Sequence, residues 1–60
     1  MNELTNTTKI FLKRFEESLN NGLPNKKQCE KLIGAIENNL YELSQKEKII
    51  IIYDLRQLMR

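Results

Sequence analysis

Four consecutive isoleucines, Ile49 to Ile52, follow directly on the run Ser44-Gln45-Lys46-Glu47, and Tyr53, Leu55, Leu58 and Met59 come after them. Ser-x-x-Glu is a capping box. The serine hydroxyl accepts from the backbone N–H three residues on, and the glutamate reaches back to the serine N–H. It predicts a helix over 45–59. With Ile49 at zero and about 100° per residue, Ile51, Ile52, Leu55, Leu58 and Met59 cover an arc from about 180° to about 300°. Ile49, Tyr53 and Ile50 cover a second arc from about 0° to about 100°, with Glu47 and Asp54 between the arcs on one side and Arg56 near ~340° on the other. One packing face cannot cover both arcs. A strand over 48–53 is the competing assignment, because Ile and Tyr favour strands. It would be the single strand of the chain, with unpaired edges, and the cap before it and the helical spacing of Leu55, Leu58 and Met59 after it favour the helix.

The chain has 60 residues. At that length one core is marginal unless disulfides, a metal, close helix packing or oligomerisation adds to it. Cys29 is the one cysteine and there is no histidine, so an internal disulfide is excluded and no metal-ligand spacing is present. Close helix packing and self-association remain.

Two further helices are legible upstream. Residues 1–5 are polar and are expected to fray; Thr5, Asn6 and Thr7 each offer an N-cap oxygen. Ile10, Phe11, Leu12, Phe15 and Leu19 then recur at helical spacing, which predicts a helix over 6–20. Asn20-Asn21-Gly22 is the expected stop, with Gly22 in the left-handed conformation, Leu23 folding back and Pro24 preventing continuation. Asn25 with Gln28 three residues on is a second capping box, with Pro24 at the first helical position as the alternative start. The line Cys29, Ile33, Ile36, Leu40, Leu43 predicts a helix over 26–43 with a narrow seam of coiled-coil type. Gly34 inside it is either an untuned position or a place where another helix approaches closely. Helices two and three are either broken near Ser44, giving a compact unit, or continuous from 26 to 59, giving a rod that must pair with another chain. The capping box favours the break. The expected fold is all-α: three amphipathic helices in a short bundle with an αα-hairpin, in one domain over 1–60. With a cover evident for one arc alone, the expected assembly is a homodimer through the third helix, with Ile49, Ile50 and Tyr53 as the self-association or partner surface. The other possibility is that the first helix crosses steeply and covers both arcs.

The chemistry-bearing residues are few. Without histidine there is no side chain that ordinarily titrates near neutral pH. Ser18 and Ser44 have no base beside them, and Cys29 falls on an apolar helix line, where a small core residue is expected. Gly22 and Gly34 are isolated, so no phosphate loop is present. Glu16, Glu17, Glu30, Glu37 and Glu42 are spaced as solvated helix faces, with Glu42 four residues before Lys46 as a favourable pair. The chain is therefore expected to be non-enzymatic and to hold no cofactor and no metal. Lys26 and Lys27 open the second helix, where free N–H groups and two cations could meet an anion or a partner's carboxylate; a solvated helix start is the plainer reading.

Ten basic and eight acidic residues give a formal charge of +2, with the signs interspersed and not in a stripe, which argues against nucleic acid as a partner. No stretch reaches the roughly 20 apolar residues that span a bilayer, the start of the chain lacks the pattern of a signal peptide, and one unpaired cysteine fits a reducing compartment. A cytoplasmic location is expected.

The run Leu43-Ser44-Gln45-Lys46-Glu47-Lys48-Ile49-Ile50 resembles the first helix of the helix-turn-helix in sigma-factor region 4 and in LuxR-type regulators. The resemblance covers about ten residues and implies DNA binding. In those families a turn and a recognition helix follow, and here Arg60 ends the sequence, so the reading helix is not expected. A second register would read DNA with helix two, but Glu30 and Glu37 on its exposed face would meet phosphate. The function expected is a small regulatory protein of the kind bacteria and phages use to modulate transcription. It would bind a larger protein, such as a repressor or a signalling protein, and change its activity. The alternatives are a small DNA-binding regulator and a structural or immunity subunit of a complex.

Overall fold

Three side-chain oxygens set where the helices begin. In the computed structural model, which describes residues 3–19 and 22–60, Thr5 Oγ1 accepts from Thr8 N at 3.2 Å and starts α1, Asn6–Arg14. Asn25 Oδ1 accepts from Gln28 N at 2.9 Å and Gln28 Oε1 accepts from Asn25 N at 3.2 Å, which starts α2, Lys26–Glu37. Ser44 Oγ accepts from Glu47 N at 3.1 Å and Glu47 Oε1 accepts from Ser44 N at 2.9 Å, which starts α3, Gln45–Leu58. Both capping boxes are therefore complete, and the chain breaks before Ser44. The result is an all-α fold of three helices, with α3 packed against both α1 and α2.

The ends of the helices differ from the pattern in the sequence. α1 stops at Arg14 and not at residue 20. Phe15 leaves helical geometry (φ −120°, ψ 39°) and its N–H donates to Leu12 O at 3.0 Å, the tighter closure of a 3₁₀ turn, which continues over Glu16–Ser18. The bend accompanies an aromatic cluster. The Phe15 ring lies 4.9 Å from Phe11 and 4.4 Å from Tyr41, and Phe11 lies 5.5 Å edge-on to Tyr41. Each such pair adds about 0.5–1.5 kcal/mol beyond its buried area, and together they tie the α2–α3 loop to α1. Asn20 and Asn21 lie outside the described residues. Gly22 does take the left-handed conformation, at φ +90°, and Leu23 beside it, 55% exposed, shares a groove with Leu12, Lys13, Glu16 and Leu19.

α2 stops at Glu37 and not at residue 43. Asn39 has φ +58°, and its N–H donates to Ile36 O at 3.1 Å while Leu40 N–H donates to Ala35 O at 3.0 Å. These two bonds make a Schellman motif with asparagine in the place glycine usually takes. Asn38 adds a side-chain bond, Nδ2 to Gly34 O at 2.8 Å. The early stop breaks the expected seam. Cys29, Ile33 and Ile36 are buried, joined by Leu32, but Leu40 is 72% exposed and Leu43 packs on the core from the loop. Glu42 falls in that loop as well, so its pairing with Lys46 has no helical geometry.

The core consists of Phe11 and Leu12 from α1, Cys29, Leu32, Ile33 and Ile36 from α2, and Ile51 and Leu55 from α3. Full burial of each large side chain contributes about 1.5–3 kcal/mol. Ile52, Leu58 and Met59 pack against this core half-buried, so the wide arc of α3 does face inward. Leu4 and Thr5, expected to fray with the rest of the start, are engaged: Leu4 packs on the core and Thr5 caps α1.

One polar contact crosses this packing. Asp54 is buried, and its Oδ2 accepts from Thr5 N at 2.9 Å, Thr5 Oγ1 at 2.9 Å and Thr8 Oγ1 at 2.7 Å. Thr8 is fully buried. The sequence pattern placed Asp54 between the two apolar arcs; in the structure it caps the start of another helix, 49 residues away in the chain, where the helix dipole favours a negative charge. Burial pushes the Asp54 carboxyl up, but the Thr5 N–H and the Thr8 and Thr5 hydroxyls outweigh it and hold the group below its ordinary value.

Two predictions follow from these contacts. Asp54→Ala leaves the buried Thr8 hydroxyl without its carboxylate and is expected to cost about 2–3 kcal/mol, lowering Tm by more than about 10 °C. Because the folded state depresses this pKa, the stabilisation is complete above the unfolded value of about 3.9 and is lost as pH falls through the depressed one. Glu47 is held low too, by the Ser44 N–H and side chain, so the Asp54 share is read from the difference between wild type and Asp54→Asn. Urea midpoints against pH should fall more steeply below about pH 4 for wild type. Parallel curves would exclude this role. At Gly34 an added Cβ meets nothing within 4 Å, so no helix of this chain approaches closely there. Gly34→Ala is expected to raise stability by about 0.5–1 kcal/mol, seen as an upward shift in Tm; a fall would reveal a close contact.

Candidate interaction surface on the third helix

α3 presents apolar side chains on two sides, and the chain covers one of them. Ile51 and Leu55 are fully buried, whereas Ile49 is 60% and Tyr53 62% exposed on the same helix. Ile49 and Tyr53 are four residues apart and therefore one above the other on the helix surface. They stand in an open groove of about 510 Å³ together with Ile52, Arg56 and Lys48, whose far wall is the end of α2, at Glu37 and Asn39.

The position of this groove refines the arc drawn from the sequence. The spare face runs from Ile52 through Arg56 and Ile49 to Tyr53, so Arg56 lies within it and not at its border. Ile50 is half-buried and does not line the groove. It sits one helical turn before Asp54, on the line that α3 turns toward the start of α1. Of the three residues expected to form one surface, the structure brings Ile49 and Tyr53 together and leaves Ile50 to one side. Ile52 takes its place, half-buried between core and groove.

The wall of the groove comes from the Asn39 stop. Because α2 ends there, the chain turns back and its last helical residue, Glu37, stands beside α3. Lys48 Nζ donates to Asn39 Oδ1, so the residue that ends α2 also fastens the first turns of α3 to it. Nothing in an apolar periodicity points to Asn39 or Glu37. The available signal is an asparagine followed by a leucine at the end of a helical pattern, which a search confined to glycine and proline passes over.

The other candidate residues lie elsewhere. Lys26 and Lys27 are exposed in the first turn of α2 and neither lines the α3 groove; the Gln28 N–H beside them is already taken by Asn25. Cys29 is 1% exposed, with its thiol 3.8 Å from Pro24 O. Burial, and then the charge of Glu30, push its pKa up, away from the thiolate that nucleophilic chemistry needs. Its position is that of a small core side chain. Ser44 is occupied as a helix cap. Among the described residues no group of three His, Cys, Asp or Glu side chains is placed to hold a metal ion, and no helix is long and apolar enough to cross a membrane.

The arrangement offers an apolar centre, Ile49, Ile52 and Tyr53, flanked by one acidic and two basic side chains. It is suited to holding another apolar surface with polar bonds around it. No family model, no curated protein and no solved structure matches this chain.

Proposed function

We propose that this chain is a small, non-enzymatic regulatory protein of the cytoplasm that binds a larger protein, such as a transcriptional repressor or a signalling protein, and modulates its activity. The observation that supports this reading is the pair Ile49 and Tyr53, each more than half exposed within one groove. A protein of this size has little stability to spare, and large apolar side chains grouped on its surface mark a contact site. The composition of the groove supports a protein partner over DNA. An apolar centre with an aromatic residue and an arginine is typical of protein contacts, whereas a phosphate-tracking surface needs a basic stripe, and Glu37 interrupts one here. The lone cysteine is buried as a free thiol, which fits a reducing compartment.

The test is a capture experiment with two baits, the wild-type chain and the Ile49→Glu/Tyr53→Glu variant, whose folding is first checked by circular dichroism. Both side chains are exposed, so the variant is expected to fold. The expected result is a regulatory protein retained by wild type and lost from the variant. Its activity in vitro, DNA binding for a repressor or phosphoryl transfer for a kinase, should change about tenfold or more on adding wild type and not on adding the variant. Equal retention by both baits, or retention without a change in activity, would overturn the reading.

A further inference from the structure

We propose that the α3 groove is closed, while no larger partner holds it, by a second copy of this chain, with the two α3 helices antiparallel about a two-fold axis between Ile52 and Tyr53. This rests on the reading of the groove as the docking surface and names its resting occupant.

The charges carry the inference. A two-fold interface sets residue i against residue j and j against i, so a patch pairs with its own copy when it carries both signs at matching positions. Glu37 lines the α2 wall of the groove, two residues before Asn39, whose side chain receives Lys48 from the start of α3. Arg56 is in the last turn. Antiparallel pairing about Ile52 and Tyr53 brings Arg56 of each copy to the first turns of the other's α3, toward the wall that carries that copy's Glu37. Two Arg56–Glu37 pairs then close the two ends. Between them Ile49, Ile52 and Tyr53 of one copy meet the same three side chains of the other. A parallel pairing would instead set Arg56 against Arg56 and Glu37 against Glu37. Lys48 keeps its charge while bonded to Asn39 of its own copy, so the two Arg56–Glu37 pairs must outweigh its repulsion of Arg56.

The dimensions allow it. The 14 residues of α3 extend about 21 Å at 1.5 Å per residue, close to the longest extent of the molecule, 25 Å. A stable interface takes about 800 Å² from each partner, roughly a sixth of the 4682 Å² this chain exposes. A face running the length of the molecule can supply that share.

The experiment is sedimentation velocity over a range of concentrations, with charge reversals. Wild type is expected to be a dimer. Glu37→Arg and Arg56→Glu, both at exposed positions, should each weaken association about tenfold or more, because each sets like charges together at both ends. Mixing the two single variants should restore a heterodimer, since one copy then carries two basic residues where the other carries two acidic ones. The double variant Glu37→Arg/Arg56→Glu should return close to the wild-type constant. A monomeric wild type at every concentration overturns the proposal, as does a dimer that neither reversal weakens or that mixing does not restore. Such a result leaves the modulator reading intact if wild type still retains a regulator that the Ile49→Glu/Tyr53→Glu variant loses. Conversely, a charge-sensitive dimer that retains no regulator removes that reading and keeps the pairing.

Discussion

The Asp54 carboxylate at the start of α1 is the contact on which the placement of the helices depends. It receives a backbone N–H and two hydroxyls from Thr5 and Thr8, and it lies on the helix that packs against both others. Apolar packing by itself sets helix positions loosely, since any face of suitable size and shape contributes. A buried carboxylate is more exacting. Buried away from its three donors its desolvation would be uncompensated, so of the settings of α3 that bury it the one that meets Thr5 and Thr8 is favoured.

That selection matters because α3 carries apolar side chains on two sides. Ile49 to Ile52 occupy four successive directions around the helix axis, and turning α3 by about one residue exchanges one isoleucine for the next. In the first turns of α3 Ile would replace Ile, whereas further on the buried Leu55 would give way to Asp54 or Arg56. The hydrogen bonds to Asp54 change completely. The Asp54 contact and the apolar residues of the later turns therefore act together to place Ile51 and Leu55 in the core while Ile49 and Tyr53 remain outside. A buried polar residue that fixes register in this manner has precedent in helix pairing, and here it acts with Leu55 on rotation.

The sequence made the start of each helix legible and left the ends and the rotation obscure. Asn25 with Gln28 and Ser44 with Glu47 are local motifs whose donors and acceptors lie within four residues, so reading them needs no knowledge of the fold. The stop at Asn39 is local as well, but asparagine tolerates the left-handed conformation without announcing it as glycine does. The bend at Phe15 depends on Tyr41, a partner distant in sequence, and the periodicity Phe11, Phe15, Leu19 continues through the bend as if the helix did. Asp54 was the least legible. An aspartate between apolar arcs on a helix carries no sign of its partners, and only its position against Thr5 and Thr8 shows them. The site shared this weakness: Ile49 and Tyr53 were apparent from the helical arc, whereas Glu37 and Asn39 reach the groove through the α2–α3 turn.

The exposed groove is thus a consequence of how the interior is held and not an independent surface feature. Burying Ile49 and Tyr53 against α1 or α2 would require α3 to rotate, and rotation would withdraw Asp54 from the first turn of α1. The chain retains the cap and leaves the isoleucine and tyrosine to be covered from outside. The wall opposite them is set by the same economy of contacts. Asn39 ends α2, its side chain receives Lys48 of α3, and the turn leaves Glu37 facing the apolar strip. The interior contact at Asp54 and the burial of Leu55 together select which face of α3 is free, and the turn at Asn39 supplies the charge beside it.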